Sequence, residues 1–154
     1  MTTITEKKFN CNVNYQFDIS LQDLKDLFCT MGQGSNYWAT EVTVGNIEEE
    51  EDEDGNVYYK DDQDYECEGC CAWLKDLSLV SPIKVEDIED DKHEFMVQDV
   101  LTTIEKIISG KTDLNTHDCG EVFQAFTNDD LGRIDSSIAD SILQIMVFGK
   151  LVYG

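Results

Sequence analysis

The sequence predicts an α+β domain in which a small antiparallel sheet of hairpins packs against three or four helices. Three observations carry that expectation. Short apolar–polar alternations recur through the first hundred residues or so, and apolar residues at helical spacing dominate the last sixty. The two patterns mix without the strand–helix–strand rhythm of a parallel sheet. A chain of 154 residues, 41% of them hydrophobic, has material for one ordinary core without help from metal or disulfides. We therefore expect a single domain over residues 1–154, with an acidic middle at 46–95 and an amphipathic helical end at 96–154.

Val13, Tyr15, Phe17 and Ile19 alternate with Asn14, Gln16 and Asp18, which predicts a half-buried strand. Ser20 then opens a helix, with Asp23 completing a capping box. Leu21, Leu24, Leu27, Phe28 and Met31 fall on one face, and Gly32 is expected to stop it. Trp38 to Val44 alternates again, with Trp38, Thr40, Val42 and Val44 expected on one side. Asp54-Gly55-Asn56 reads as a turn before a short strand, Val57 to Tyr59. Pro82, the only proline, marks a turn or the start of a strand. Ile83, Val85 and Ile88, then Asp90-Asp91, then Phe95-Met96 predict a second hairpin. Val97, Val100, Leu101, Ile104, Ile107 and Ile108 form an amphipathic helix ended by Gly110. Val122, Phe123 and Phe126 suggest a short helix. Asp135 caps a last one, whose Ile138, Ile142, Ile145 and Met146 face the core.

Charge is the most unusual property. The chain holds 33 acids against 11 bases, a net charge of −22. The acids concentrate in Glu48, Glu49, Glu50, Glu51, Asp52, Glu53, Asp54, Asp61, Asp62, Asp64, Glu66 and Glu68, with Lys60 the single base among them. A second cluster comprises Glu86, Asp87, Glu89, Asp90, Asp91 and Glu94. The bland reading of such runs is a solvated loop or hairpin tip. Yet so many like charges on one small domain repel one another, at some expense in stability. An extended acidic strand advances about 3.3 Å per residue, close to the charge spacing of one DNA strand. Such a surface can occupy a groove lined with Lys and Arg. Direct binding to nucleic acid is disfavoured, because the chain lacks the bases that would release counterions.

Other chemistries find weaker support. Glu50 to Asp61 partly follows a calcium loop, with acids at positions 1, 3 and 5 and Gly55 at 6. Its first ligand is Glu, its last is Asp61, and its flanks read as strands, so an acidic hairpin is favoured. Cys67, Cys70, His117 and Cys119 could supply four zinc ligands, but the second pair has one intervening residue, an awkward chelate. With no export signal among the first residues, the six cysteines are expected to be reduced thiols in a cytoplasmic protein. No apolar run is long enough to span a membrane. Neither histidine, His93 nor His117, lies beside a recognisable nucleophile, and Gly32-Gln33-Gly34 lacks the lysine of a phosphate loop. No cofactor and no catalytic residue is expected.

Two stretches resemble a known group. Gly34-Ser35-Asn36-Tyr37-Trp38, and Ala139-Asp140-Ser141-Ile142-Leu143-Gln144 leading to Phe148-Gly149-Lys150-Leu151-Val152-Tyr153-Gly154, are similar to segments of a family of small, uncharacterised acidic proteins encoded by tailed bacteriophages and prophages. Gln33 stands where that family has the first glycine of a Gly-Gly pair, and Lys150 where it has an acid. The resemblance implies an accessory phage protein and brings no catalytic residues. Tyr37 and Trp38 are expected to pack against the terminal helix, the alternative being an exposed aromatic contact. The combined expectation is a non-enzymatic inhibitor in the host cytoplasm. Its partner would be the basic surface of a nucleic-acid-handling host protein, such as a CRISPR effector or a restriction or other DNA-processing complex. Contacts would come from Glu48, Glu49, Glu50, Glu51, Asp52, Glu53, Asp54, Asp61, Asp62, Asp64, Glu86, Asp87, Glu89, Asp90 and Asp91. A metal- or nucleotide-binding accessory module, or a virion assembly protein, stands as the alternative.

Overall fold

The computed structural model describes residues 16–45, 49–51, 53, 57–59 and 77–154. The fold is α+β. In chain order it comprises α1 (Leu21–Gly34), β1 (Ala39–Val44), β2 (Glu49–Glu51), β3 (Val57–Tyr59), β4 (Pro82–Asp87), β5 (Lys92–Met96), α2 (Val97–Ile108), α3 (Thr116–Thr127), a 3₁₀ turn at Leu131–Arg133, and α4 (Ser136–Phe148). Strands β1, β4 and β5 form an antiparallel sheet in that order, and β2 pairs with β3 in a separate two-stranded ladder. That short ladder agrees with the acidic-hairpin reading, while Asp54-Gly55-Asn56 lies outside the described residues. No helix among the described residues is long and apolar enough to cross a membrane.

Local signals act as expected at most boundaries. Ser20 Oγ accepts from the Asp23 N–H at 3.1 Å, and Asp23 Oδ2 accepts from the Ser20 N–H at 3.2 Å, a reciprocal cap for α1. Asp135 Oδ1 accepts from the N–H groups of Ser137 and Ile138, both at 2.9 Å, and so opens α4. Asp99 Oδ2 reaches back to the Met96 N–H at 2.7 Å at the start of α2. Gly149, with φ 72°, takes the left-handed position that closes α4.

Four expectations need correction. Residues 16–19 are not a strand; Phe17 and Ile19 are half-buried, with Phe17 packing against Phe123 and Phe126 at ring distances of 6.1 and 5.9 Å. Their alternation records the Phe17 ring lying on helix α3 and Ile19 packing on the core, not a ladder of backbone hydrogen bonds. Helix α1 runs two residues past Gly32, to Gly34, where Ser35 N–H bonds Met31 O at 3.0 Å. Strand β1 has a bulge between Ala39 and Glu41. It resets the alternation, so Trp38, Ala39 and Val44 are buried while Thr40 is exposed. Cys29 is disulfide-bonded, against the expectation of reduced thiols, whereas Cys119 is free.

The core draws on the larger sheet and on α1, α2 and α4. Val44, Ile83 and Val85 from the sheet, Phe28 and Met31 from α1, Val97 and Ile107 from α2, and Ile142 and Leu143 from α4 are all at most 2% exposed. Helix α4 packs on α1 and α2 and is buried nearly all round, as its mostly apolar sequence requires. Two polar residues, Asp140 and Gln144, are buried along it and must find their partners inside the protein.

Candidate interaction surface

Asp140 draws together the two segments that carry the phage-family resemblance. Its Oδ1 accepts from Ser35 Oγ at 2.8 Å and from Trp38 Nε1 at 2.6 Å. Its Oδ2 accepts from the Tyr37 hydroxyl and from Gln144 Nε2, both at 2.8 Å. Four donors on one buried carboxylate satisfy it fully, which burial of a polar group demands. Gln144 continues the network. Its Oε1 accepts from the backbone N–H of Val152 at 2.9 Å and of Tyr153 at 2.8 Å, and its Nε2 lies 3.0 Å from Tyr153 O. The helix α4 therefore clamps the turn after α1 on one side and the 151–153 segment on the other. Gly34 permits the approach: a Cβ there would collide with the backbone oxygen of Ser136.

Trp38 and Tyr37 separate in role. Trp38 is wholly buried, stacked on Tyr153 at 5.4 Å with an interplanar angle of 11°, and packed against Phe148 at 5.3 Å. Tyr37 keeps its hydroxyl bonded inward while half of the residue (50%) remains exposed. Burial of its oxygen, then the hydrogen bond and negative charge of Asp140, push its pKa up to about 12. The hydroxyl is thus committed to Asp140 as a donor at any physiological pH.

The β4–β5 turn lies beside this junction. Ile88 N–H bonds Trp38 O at 2.8 Å, tying the turn to the start of β1. The turn is organised by Asp87, which is only 3% exposed. Its Oδ1 accepts from the N–H groups of Glu89 at 2.9 Å and Asp91 at 3.1 Å, and its Oδ2 lies 3.0 Å from His93 Nε2. The bond to His93 leads, with the two backbone donors, in holding the Asp87 carboxyl below its ordinary pKa, against the opposing effect of burial. Asp90 takes φ 64°, a left-handed conformation that aspartate tolerates better than most side chains. The product is a hydrogen-bonded tip on which Glu89, Asp90 and Asp91 are all exposed. Burial raises the Tyr153 hydroxyl pKa, and the charges of Glu89, Asp87 and Asp91 add to it.

Among the acids expected to bind a partner, placement differs. Asp87 is corrected from a contact residue to a turn organiser, because its carboxylate is used internally. Glu86 faces outward but pairs with Lys92 at 3.2 Å. The outer face of the sheet mixes charge generally: Lys84 stands opposite Glu94, and Glu86 opposite Lys92. Glu89, Asp90 and Asp91 remain as an exposed anionic cluster, and Glu53 is exposed. Glu49, Glu50 and Glu51 form β2. Glu48, Asp52, Asp54, Asp61, Asp62 and Asp64 lie outside the described residues, as do Cys67 and Cys70. The remaining zinc candidates diverge: the His117 side chain is 81% exposed beside Asp118, whereas Cys119 is half-buried with Sγ 3.5 Å from Leu114 O. Two residues apart on a helix, they do not share a face. Among the described residues no group of three or more His, Cys, Asp or Glu side chains gathers to hold a metal.

A cleft of about 510 Å³ opens between residues 16–19, α2 and α3, lined by Phe17, Ile19, Leu101, Ile104, Phe123 and Phe126, with Glu105 also on its wall. None of its described lining residues is Lys or Arg, which disfavours it as a nucleotide site. Comparison with protein-family models, curated proteins and solved structures finds no match to the chain.

Sequence reasoning located the acidic tip but missed Asp140 and Gln144 as the residues that position its neighbours. A signal was there. In a helix apolar on every side, two polar residues at i and i+4 share one face and have to be satisfied inside the protein.

Proposed function

We propose that the protein is a phage-encoded inhibitor that acts by binding, occupying the Lys- and Arg-lined surface of a nucleic-acid-handling host protein in the host cytoplasm. The observation that supports this reading is the exposed tip Glu89-Asp90-Asp91, held outward by the buried Asp87, on a chain of net charge −22. Acids on a preorganised turn are presented to a cationic groove without further ordering, and their attraction accelerates encounter. The acids of the β2–β3 ladder extend the same sign of charge. The resemblance to phage proteins supplies the biological setting, in which a host defence or DNA-processing complex is the target.

The test is retention of host-lysate proteins on the immobilised protein at low salt, with competition by duplex DNA. The expected result is a set of nucleic-acid-binding proteins released by about 0.5 M salt and displaced by DNA. A combined Glu89→Gln, Asp90→Asn, Asp91→Asn variant should retain less, and reversing Glu49, Glu50, Glu51 and Glu53 to Lys less still. Retention indifferent to DNA and to both sets of substitutions would contradict the reading.

A further inference from the structure

We infer that the cleft between residues 16–19, α2 and α3 binds a small apolar molecule carrying one ammonium group, whose charge is met by the Glu105 carboxylate on the cleft wall. The site is separate from the acidic tip and does not depend on the partner proposed above.

Three pieces of chain supply the walls. Helix α2 contributes Leu101, Glu105 and Ile108, which at i, i+4 and i+7 form one stripe of its surface. Helix α3 contributes Phe123 and Phe126, and the segment before α1 contributes Phe17, whose ring packs on both at 6.1 and 5.9 Å. Leu101, Ile108 and the three phenylalanines are each only half-buried, so the cleft keeps apolar surface on every wall. Its volume of about 510 Å³ falls within the range of small-molecule sites, about 300–1,000 Å³.

Charge decides the occupant. An acid in the middle of an apolar stripe does nothing for the packing of that helix face. Glu105 is exposed, and among the described residues its carboxylate has no hydrogen-bond or ion-pair partner. It is the one charged group among the described lining residues; Lys106, next along α2, does not line the cleft. A ligand with a carboxylate or phosphate head would meet like charge and no base, on a chain of net charge −22. A bare metal ion needs several oxygen ligands, and no group of three ligating side chains gathers among the described residues. An ammonium on an apolar body suits both parts of the cleft. Its head pairs with Glu105 and is drawn to phenylalanine rings, and its body covers apolar wall that water otherwise wets.

The experiment follows the methyl signals of ¹³C-labelled protein during titration with decyltrimethylammonium, decanol or decanoate, each kept monomeric. The ammonium is expected to shift the methyls of Leu101, Ile104 and Ile108 saturably. It should bind about threefold tighter than the alcohol, with decanoate weaker than either. Glu105→Gln should bring the ammonium level with the alcohol and leave the alcohol's affinity unchanged. Glu94→Gln, which removes an acid from the sheet instead, should preserve the preference. Leu101→Trp should fill the cleft and weaken both ligands together. Because Glu105 is exposed, its glutamine variant decides the matter even if Leu101→Trp folds poorly. Equal affinity of the wild type for the ammonium and either other ligand would overturn the proposal, as would a preference that survives Glu105→Gln or is lost in Glu94→Gln. Undiminished binding to folded Leu101→Trp, shifts confined to methyls outside the cleft, or saturation by none of the three would overturn it too.

Discussion

Asp140 and Asp87 are both buried aspartates, yet they serve opposite kinds of region. Asp140 sits where three distant parts of the chain converge, and every donor it accepts comes from a side chain. Asp87 sits under a turn, accepting from backbone groups two and four residues on and bonding His93 six residues on. The first region spends its carboxylate on closing the tertiary structure. The second uses one carboxylate so that its neighbours can face solvent. The lesson is that a net charge of −22 is not one property. Some acids are structural, some are paired with lysine across the sheet, and a small set is turned outward to solvent.

The sharpest way to break the comparison is to remove the acid at the convergence point. Asp140→Ala strands the buried donors of Ser35 and Trp38, and the loss should be roughly 3 kcal/mol or more, since each orphaned group costs about 1–3 kcal/mol. Urea unfolding measures it; a loss below about 1 kcal/mol would mean that the junction does not depend on its carboxylate. Next comes Gly34→Ala. The new methyl would meet the Ser136 backbone oxygen, and backbone cannot rotate aside, so α1 and α4 have to separate. A cost of about 1–3 kcal/mol is expected, read as a lowered melting temperature, and an unchanged melt would show that the helices do not approach so closely. The smallest effect belongs to the turn. Because the folded carboxyl of Asp87 titrates below its ordinary value, its contribution is fully present above the unfolded pKa of about 3.9 and is lost as pH falls through the lower folded value. Wild type and Asp87→Asn should therefore differ in urea midpoint at neutral pH and converge only below about pH 4. Convergence already at about pH 6, well above the carboxylate range, would contradict the assigned bonds.

Much of the architecture was legible because it depends on near neighbours in sequence. Ser20 with Asp23, Asp135 before its helix, and the strands on either side of Asp90-Asp91 each declare themselves within a few residues. What was not legible depends on remote partners. Phe17 and Ile19 alternate as a strand would, but the Phe17 ring packs on a helix supplied about a hundred residues later. The bulge at Ala39–Glu41 arises from pairing with β4 and leaves no mark on the local pattern. Asp87 and Asp90 look alike among so many acids, and only the folded turn shows one pointing inward and the other out. The tip was identifiable from composition; the buried carboxylate that organises it was not.

The distance along the chain between Ser35 and Asp140, 105 residues, also has a consequence in time. At synthesis rates of about 5–20 residues per second, the ribosome delivers the acceptor roughly 5–20 seconds after the donors. During that interval Trp38 has no Asp140 to bond and no α4 to cover it. The nascent chain must keep a large aromatic surface out of trouble until its last helix emerges, and only then can α1 and the sheet lock together.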